Sequence, residues 1–178
     1  KIEARHANEE YGVNEGSGDQ AMPQALDNAD IGWHSYLDQL LFPAGSVLTK
    51  SDQYFLVYSQ FRKVGYSRLH TSLPQPQRLH KAQRPLKISS DAVPDKVKGF
   101  ETPSQALRDL WPAGEAEARR RLDQFSDEQI HYYLSERDFP AKPGTSQLSA
   151  YPAAGVISPR PCLHAALNSD QGEFESGN

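Results

Sequence analysis

The sequence has 178 residues, enough for one domain and part of another. Its formal net charge of −4 lacks the basic footprint that nucleic-acid binding usually needs, and a 10% aromatic share excludes a solvating, disordered chain. The lone Cys162 excludes an internal disulfide, and with no signal peptide and no apolar run of about 18 residues the expected setting is reduced and cytoplasmic, with no membrane, for a chain expected to be monomeric.

Taken in chain order, Lys1 to Tyr11 reads as a strand whose pattern is spoiled by Arg5, His6 and Asn8. Past Gly16-Ser17-Gly18, residues 21–29 form a short predicted helix with Pro23 near its first turn, where a missing N–H costs little. A mixed stretch from Ile31 to Phe42 ends at Pro43-Ala44-Gly45. Tyr54 to Tyr58 is a short apolar run, after which Ser59 could cap a helix carrying Phe61, Val64 and Leu69 on roughly one face. From Leu73 to Lys98 the prolines at 74, 76, 85 and 94 remove backbone donors and predict an extended connector.

The remainder is helical in pattern. Thr102-Pro103 starts a predicted helix with Leu107, Leu110 and Trp111 inward, stopped by Pro112. The next, Glu115 to Phe125, places Ala118, Leu122 and Phe125 on one stripe and leaves Arg119-Arg120-Arg121 as a solvated face paired to Glu115 and Glu117. Ser126 and Gln129 match a capping box opening a helix with Ile130, Tyr133 and Leu134 inward. Two further starts follow, at 144–149 and at Ser158-Pro159, the second a capping serine with proline at the first helical position.

The chemistry concentrates late in the chain, in Arg137-Asp138-Phe139-Pro140, then Gly144-Thr145-Ser146-Gln147-Leu148-Ser149, then Gly155-Val156-Ile157-Ser158-Pro159-Arg160. A glycine and hydroxyls ahead of a helix offer backbone N–H groups, a dipole end and side-chain donors suited to a pyrophosphate. Ordinary capping needs the same residues, and residue chemistry alone leaves both readings open. At these separations, however, D-F-P, G-T-S-x-L-S and G-x-I-S-P-R together resemble the opening of the flavin-binding helical domain of the photolyase and cryptochrome family. The resemblance implies FAD contacts from Tyr133, Thr145, Ser146, Gln147, Leu148 and Ser149. Arg, Lys or Gly often stands in the family where this chain has Gln147, which replaces a charge-assisted phosphate contact by a neutral one. Pro152, where the family usually has leucine, predicts a helix that starts late or kinks.

Upstream, Glu10-Tyr11-Gly12-Val13-Asn14-Glu15 is similar to the end of a strand in folate-type photolyases, which implies that Asn14 and Glu15 hydrogen-bond the pterin of a 5,10-methenyltetrahydrofolate antenna. Without the family, an Asn-Glu pair after a strand is a turn. The runs 42–49 and 57–63 look like interdomain elements of the same family, in the same order, and the resemblance covers essentially all 178 residues. Six scattered histidines lack metal-ligand spacing.

The implied architecture is α/β and then mostly α. Residues 1–43 would end a Rossmann-like antenna domain, 44–113 would link, and 114–178 would begin an all-helical FAD-binding domain. Lys1 in place of a starting Met and the tail at 172–178 read as internal boundaries. The implied parent is a folate-type, class I deoxyribodipyrimidine photolyase acting on DNA that carries pyrimidine dimers; this segment alone is expected to be inactive, and no catalytic residue is assigned to it. A cryptochrome-type photoreceptor segment and a nonfunctional truncated product stay open as alternatives.

Overall fold

A computed structural model describes residues 2–77, 81, 89, 91–94 and 96–169. The chain opens with a βαβ unit: β1 (Ala4–Asn8), α1 (Val13–Asp27) and β2 (Gly32–Tyr36). The two strands pair in parallel, from Ala4 opposite Gly32 to Asn8 opposite Tyr36, and a parallel pair requires the crossover that α1 supplies. The side chains that spoil the strand pattern find cross-strand partners instead. Arg5 lies over the Trp33 ring at 6.0 Å and reaches the Met22 sulfur at 4.0 Å, on the side of α1. His6, facing the other way, stacks on His34 at 4.7 Å and hydrogen-bonds the Tyr36 hydroxyl at 2.8 Å.

The helix expected over 21–29 starts eight residues earlier, at Val13, and absorbs the whole Gly16-Ser17-Gly18 run. Pro23 therefore sits in its interior rather than in its first turn. Two polar contacts occupy side chains there: the Ser17 hydroxyl donates back to the Val13 carbonyl at 3.0 Å, and Asp19 accepts from the Glu10 N–H at 3.2 Å, tying the helix to the segment before it. The second helix, α2 (Tyr58–Thr71), begins one residue ahead of Ser59, which leaves Val57 at the N-cap and Ser59 inside. Its buried face is Gly65 and Leu69, and Gly65 admits the Phe42 ring, whose nearest carbon lies 3.5 Å from where a Cβ would stand. Residues 72–77 run without regular structure, and most of the rest of the expected connector, at 78–80, 82–88, 90 and 95, lies outside the described residues.

In the helical part, α3 (Gln105–Leu110) is capped by Ser104, which accepts from the Leu107 N–H at 3.2 Å, so it starts after Thr102-Pro103 and leaves Leu107 and Leu110 exposed. The next helix, α4 (Glu115–Gln124), buries Ala118 completely and Leu122 almost so. It does not stop at Ser126. A π-helical turn over Phe125–Gln129 and a 3-10 turn over Ile130–Tyr132 carry the chain on into α5 (Tyr133–Glu136). The expected capping box is absent because Ser126 lies in a continuous helical run: its hydroxyl is buried without a partner among the described residues, while its carbonyl accepts from Ser169 at 3.2 Å. Leu134, expected inward, is 73% exposed.

The core joins Ala118 and Leu122 to Leu148, Tyr151 and Ile157, with Trp111, Val156, Cys162 and Ala165 packed around them. A single turn, α6 (Ala150–Ala153), ends in a Schellman motif: Gly155, at φ +68°, donates to the Pro152 carbonyl at 3.0 Å, and Val156 donates to the Tyr151 carbonyl at 2.9 Å. The last helix, α7 (Pro159–Ser169), starts on Pro159 as expected, with the Arg160 N–H directed at the Ser158 hydroxyl at 3.4 Å. Ser158 and Arg160 also join the two parts of the chain: the Ser158 hydroxyl donates to the Asp38 carbonyl at 3.1 Å, and the Arg160 guanidinium donates to the Leu37 carbonyl. Among the described residues no helix is long and apolar enough to cross a membrane.

The helix around Pro152 starts late rather than kinking, and Pro152 occupies its first turn, where an N–H would have no intrahelical partner. Pro152→Leu is therefore expected to leave the far-ultraviolet circular dichroism unchanged; a clear gain in helicity would mean that the helix begins before Ala150.

Candidate cofactor site

Thr145, Ser146 and Gln147 lie in the loop between α5 and α6, not at a helix start. Two glycine-like constraints shape that loop. Gly144 is buried against α5, and a Cβ there would stand 2.6 Å from the Glu136 Cβ and 2.9 Å from its carbonyl oxygen. Gln147 takes φ +49°, the left-handed region that non-glycine residues enter only under constraint. The Gln147 turn sends the next side chain, Leu148, into the core, where it is 8% exposed.

The opposite wall comes from α4. Arg120, Arg121 and Gln124, with Gln129 from the π-helical turn, close a polar cavity of about 190 Å³ against Thr145, Ser146 and Gln147. Arg121 is fixed. It donates to Glu117 at 2.8 Å and to the Leu110 carbonyl at 2.6 Å, and its guanidinium lies 5.0 Å from the Trp111 ring and 5.5 Å from that of Tyr151. Arg120 forks onto both oxygens of the same Glu117, each at 2.8 Å. Hydrogen bonds from Arg120 first and Arg121 second hold the Glu117 carboxyl well below the usual range, at about 2.

The residues predicted from sequence do not all converge. Thr145, Ser146 and Gln147 line one cavity, and no side-chain partner for the two hydroxyls is present among the described residues. Ser149 precedes α6, exposed and without a capping hydrogen bond. Tyr133 lines no part of this cavity; it is 40% exposed, edge-on to Phe125 at 6.1 Å and under the Arg137 guanidinium at 5.5 Å. Asn14 and Glu15 occupy the first turn of α1 rather than a free turn, both exposed, close after the carboxyl end of β1. Arg120 and Arg121 were missed because three consecutive arginines read as solvated surface. The available signal was spacing: Ala118, Arg121, Leu122 and Phe125 fall at i, i+3, i+4 and i+7, so Arg121 belongs to the core-facing stripe.

Comparison with known proteins matches the chain to photolyases. The family model described as DNA photolyase matches residues 1–77. A deoxyribodipyrimidine photo-lyase of Vibrio cholerae is 33% identical over 178 aligned residues, which include 96% of this chain and 36% of the relative. That of Escherichia coli is 30% identical, with 96% and 35% covered. A crystal structure described as a bacterial class III photolyase from Agrobacterium tumefaciens superposes with a TM-score of 0.80 at 28% identity, over 98% of this chain and 36% of that one. The chain belongs to the DNA photolyase family. It spans about a third of the length of the curated photolyases it matches. The class I assignment implied by the sequence motifs meets a class III neighbour in the structural match, so the assignment stands at the level of the photolyase family.

Two outcomes follow from the loop and its wall. Gly144→Ala is expected to destabilise the chain by about 1–3 kcal/mol, because the new methyl must push against α5 backbone; calorimetric melting reads it. The Glu117 carboxyl is depressed in the folded state, so its contribution is complete above its unfolded value near 4.5 and is lost as pH falls through about 2. Urea melts over that window should show a steeper acid loss for the wild type than for Glu117→Gln.

Proposed function

We propose that this chain is the segment of a deoxyribodipyrimidine photolyase that holds the FAD diphosphate on its 145–149 loop and one edge of a folate antenna at Asn14 and Glu15. The observation that carries the reading is the cavity itself, which gathers Thr145, Ser146 and Gln147 from one element and two arginines from another. The residues fit the group. Hydroxyls without side-chain partners among the described residues, carboxamides and a net positive wall match the oxygens of a diphosphate, and the cavity is polar where a ring system would need apolar lining.

Within the site, Thr145 and Ser146 donate hydroxyls and Gln147 an amide, while the buried Leu148 contributes only its backbone N–H. Ser149 stands exposed at the loop end for a further hydroxyl contact, and Tyr133, held by Phe125 and Arg137, offers a ring face outside the phosphate cavity. Bound FAD, reduced and light-excited, would supply the electron that splits a pyrimidine dimer, with 5,10-methenyltetrahydrofolate as antenna. Asn14 and Glu15 lie beyond the carboxyl end of a parallel strand, the edge at which open α/β sheets bind ligands, and offer a donor and an acceptor to a pterin edge. The DNA partner belongs to the whole protein, since the −4 charge of this chain supplies no footprint for it. The names of the relatives favour repair over a photoreceptor role.

A chimera tests the reading. Residues 1–178 are exchanged for the matched third of the Vibrio cholerae relative, and FAD content and light-dependent repair of dimer-containing DNA are measured. The chimera should carry FAD and repair, and Thr145→Ala with Ser146→Ala should lower FAD affinity about tenfold. Unchanged FAD content in the double variant would remove the loop from the site. The 178-residue chain by itself should purify without stoichiometric flavin, because a phosphate cradle supplies only part of the contacts.

A further inference from the structure

Arg120 and Arg121 are neighbours in sequence but live in different surroundings. Arg121 is 13% exposed in its side chain, clamped by Glu117, the Leu110 carbonyl and two aromatic rings. Arg120 is 59% exposed, and its protein partners are the shared Glu117 and the Gln124 amide oxygen at 3.0 Å. Glu117 accepts from both arginines, so it keeps a partner if Arg120 leaves. The cavity they share with the 145–147 loop is lined otherwise by neutral groups, and two arginines against one carboxylate leave it a net charge of +1. Glu128 bonds the far end of the Gln124 amide at 3.3 Å and does not line the cavity.

We infer that Arg120 is a specificity-determining anion ligand of this cavity: a diphosphate draws its guanidinium off Glu117 and onto the phosphate oxygens facing Thr145 and Ser146. The exchange trades one charge-assisted fork for another: Arg120 gives up its two bonds to Glu117, which keeps Arg121 as a partner, and gains a two-pronged contact to phosphate. Arg121 stays behind with Glu117 and the core, so the wall does not collapse when Arg120 moves. A loop whose own side-chain donors are all neutral thereby gains its cation from a different helix. The inference rests on the reading of the 145–149 loop as a phosphate site and adds to it a residue outside that loop.

The 178-residue chain, isotopically labelled, is titrated with inorganic pyrophosphate while amide resonances of 144–149 are followed by nuclear magnetic resonance; spectral dispersion reports folding. Saturable shifts in the loop are expected for the wild type, with affinity about tenfold weaker in Arg120→Gln and partly restored in Arg120→Lys. Arg119→Gln should bind like the wild type, since Arg119 pairs with Glu115 beside a different crevice. Glu117→Gln, which frees Arg120, should bind severalfold tighter; weaker binding by a folded Glu117→Gln chain would overturn the exchange. If Arg120→Gln binds as the wild type does while Thr145→Ala with Ser146→Ala abolishes binding, the inference fails and the loop site stands. If Arg120→Gln weakens binding and the loop variants do not, the inference stands and the loop reading fails. A wild type that shows no shift overturns both.

Discussion

One clamped, largely shielded guanidinium, that of Arg121, organises the helical half of this chain. Arg121 lies against the neighbouring Trp111 and Tyr151 rings and directs donors to Glu117 and the Leu110 carbonyl, so the end of α3, the middle of α4 and the turn of α6 meet at one charge. Such a partly shielded charge is tolerable because its requirements are met: a carboxylate compensates it, a carbonyl takes a second donor, and two neighbouring rings replace part of its water. The Tyr151 hydroxyl closes the arrangement by donating to the Pro112 carbonyl at 2.9 Å. Ala118, completely buried, is the residue small enough to let these pieces approach.

The cavity is a consequence of that packing. With Arg121 pinned inward, the next α4 position outward is Arg120, and the loop that returns from α5 to the core must pass it. Gly144 allows the loop to touch α5 backbone, and the left-handed Gln147 turns Leu148 into the core. Thr145 and Ser146 then line the cavity opposite α4, their hydroxyls without a side-chain partner among the described residues. The α6 turn is too short to present a sizeable dipole, so the electrostatics of the site come from side chains of α4 rather than from a helix start.

The same economy joins the two parts of the chain. Ser158 caps α7 and also donates to Asp38, and Arg160, in the first turn of that helix, reaches Leu37. His164 adds a hydrogen bond at 2.9 Å to Pro74, anchoring the start of the connector on the same helix. A motif that reads locally as a helix start is thus also the joint between the βαβ unit and the helices. Those attachments place the carboxyl end of β1, with Asn14 and Glu15 beyond it, and the α4 cavity on one connected framework.

Sequence alone determined the family, the α/β-then-α order, the Ala118 and Leu122 stripe and the Pro159 start, because each depends on short-range spacing or on several motifs at family separations. It misread α1, whose glycines and internal Pro23 argue against a helix but are overruled by the need to cross between parallel strands. It misread Ser59 and Ser126 as caps, because a hydroxyl with the right neighbours signals a start only if the chain breaks there, and at Ser126 packing carries the helix through. Tertiary structure alone decided that Leu148 is core, that Tyr133 stands apart from the α4 cavity, and that the Arg121 side chain is largely shielded while that of Arg120 is exposed beside the loop. Those outcomes depend on which residues distant in sequence meet around a clamped, largely shielded charge, a question of three-dimensional complementarity that no local pattern encodes.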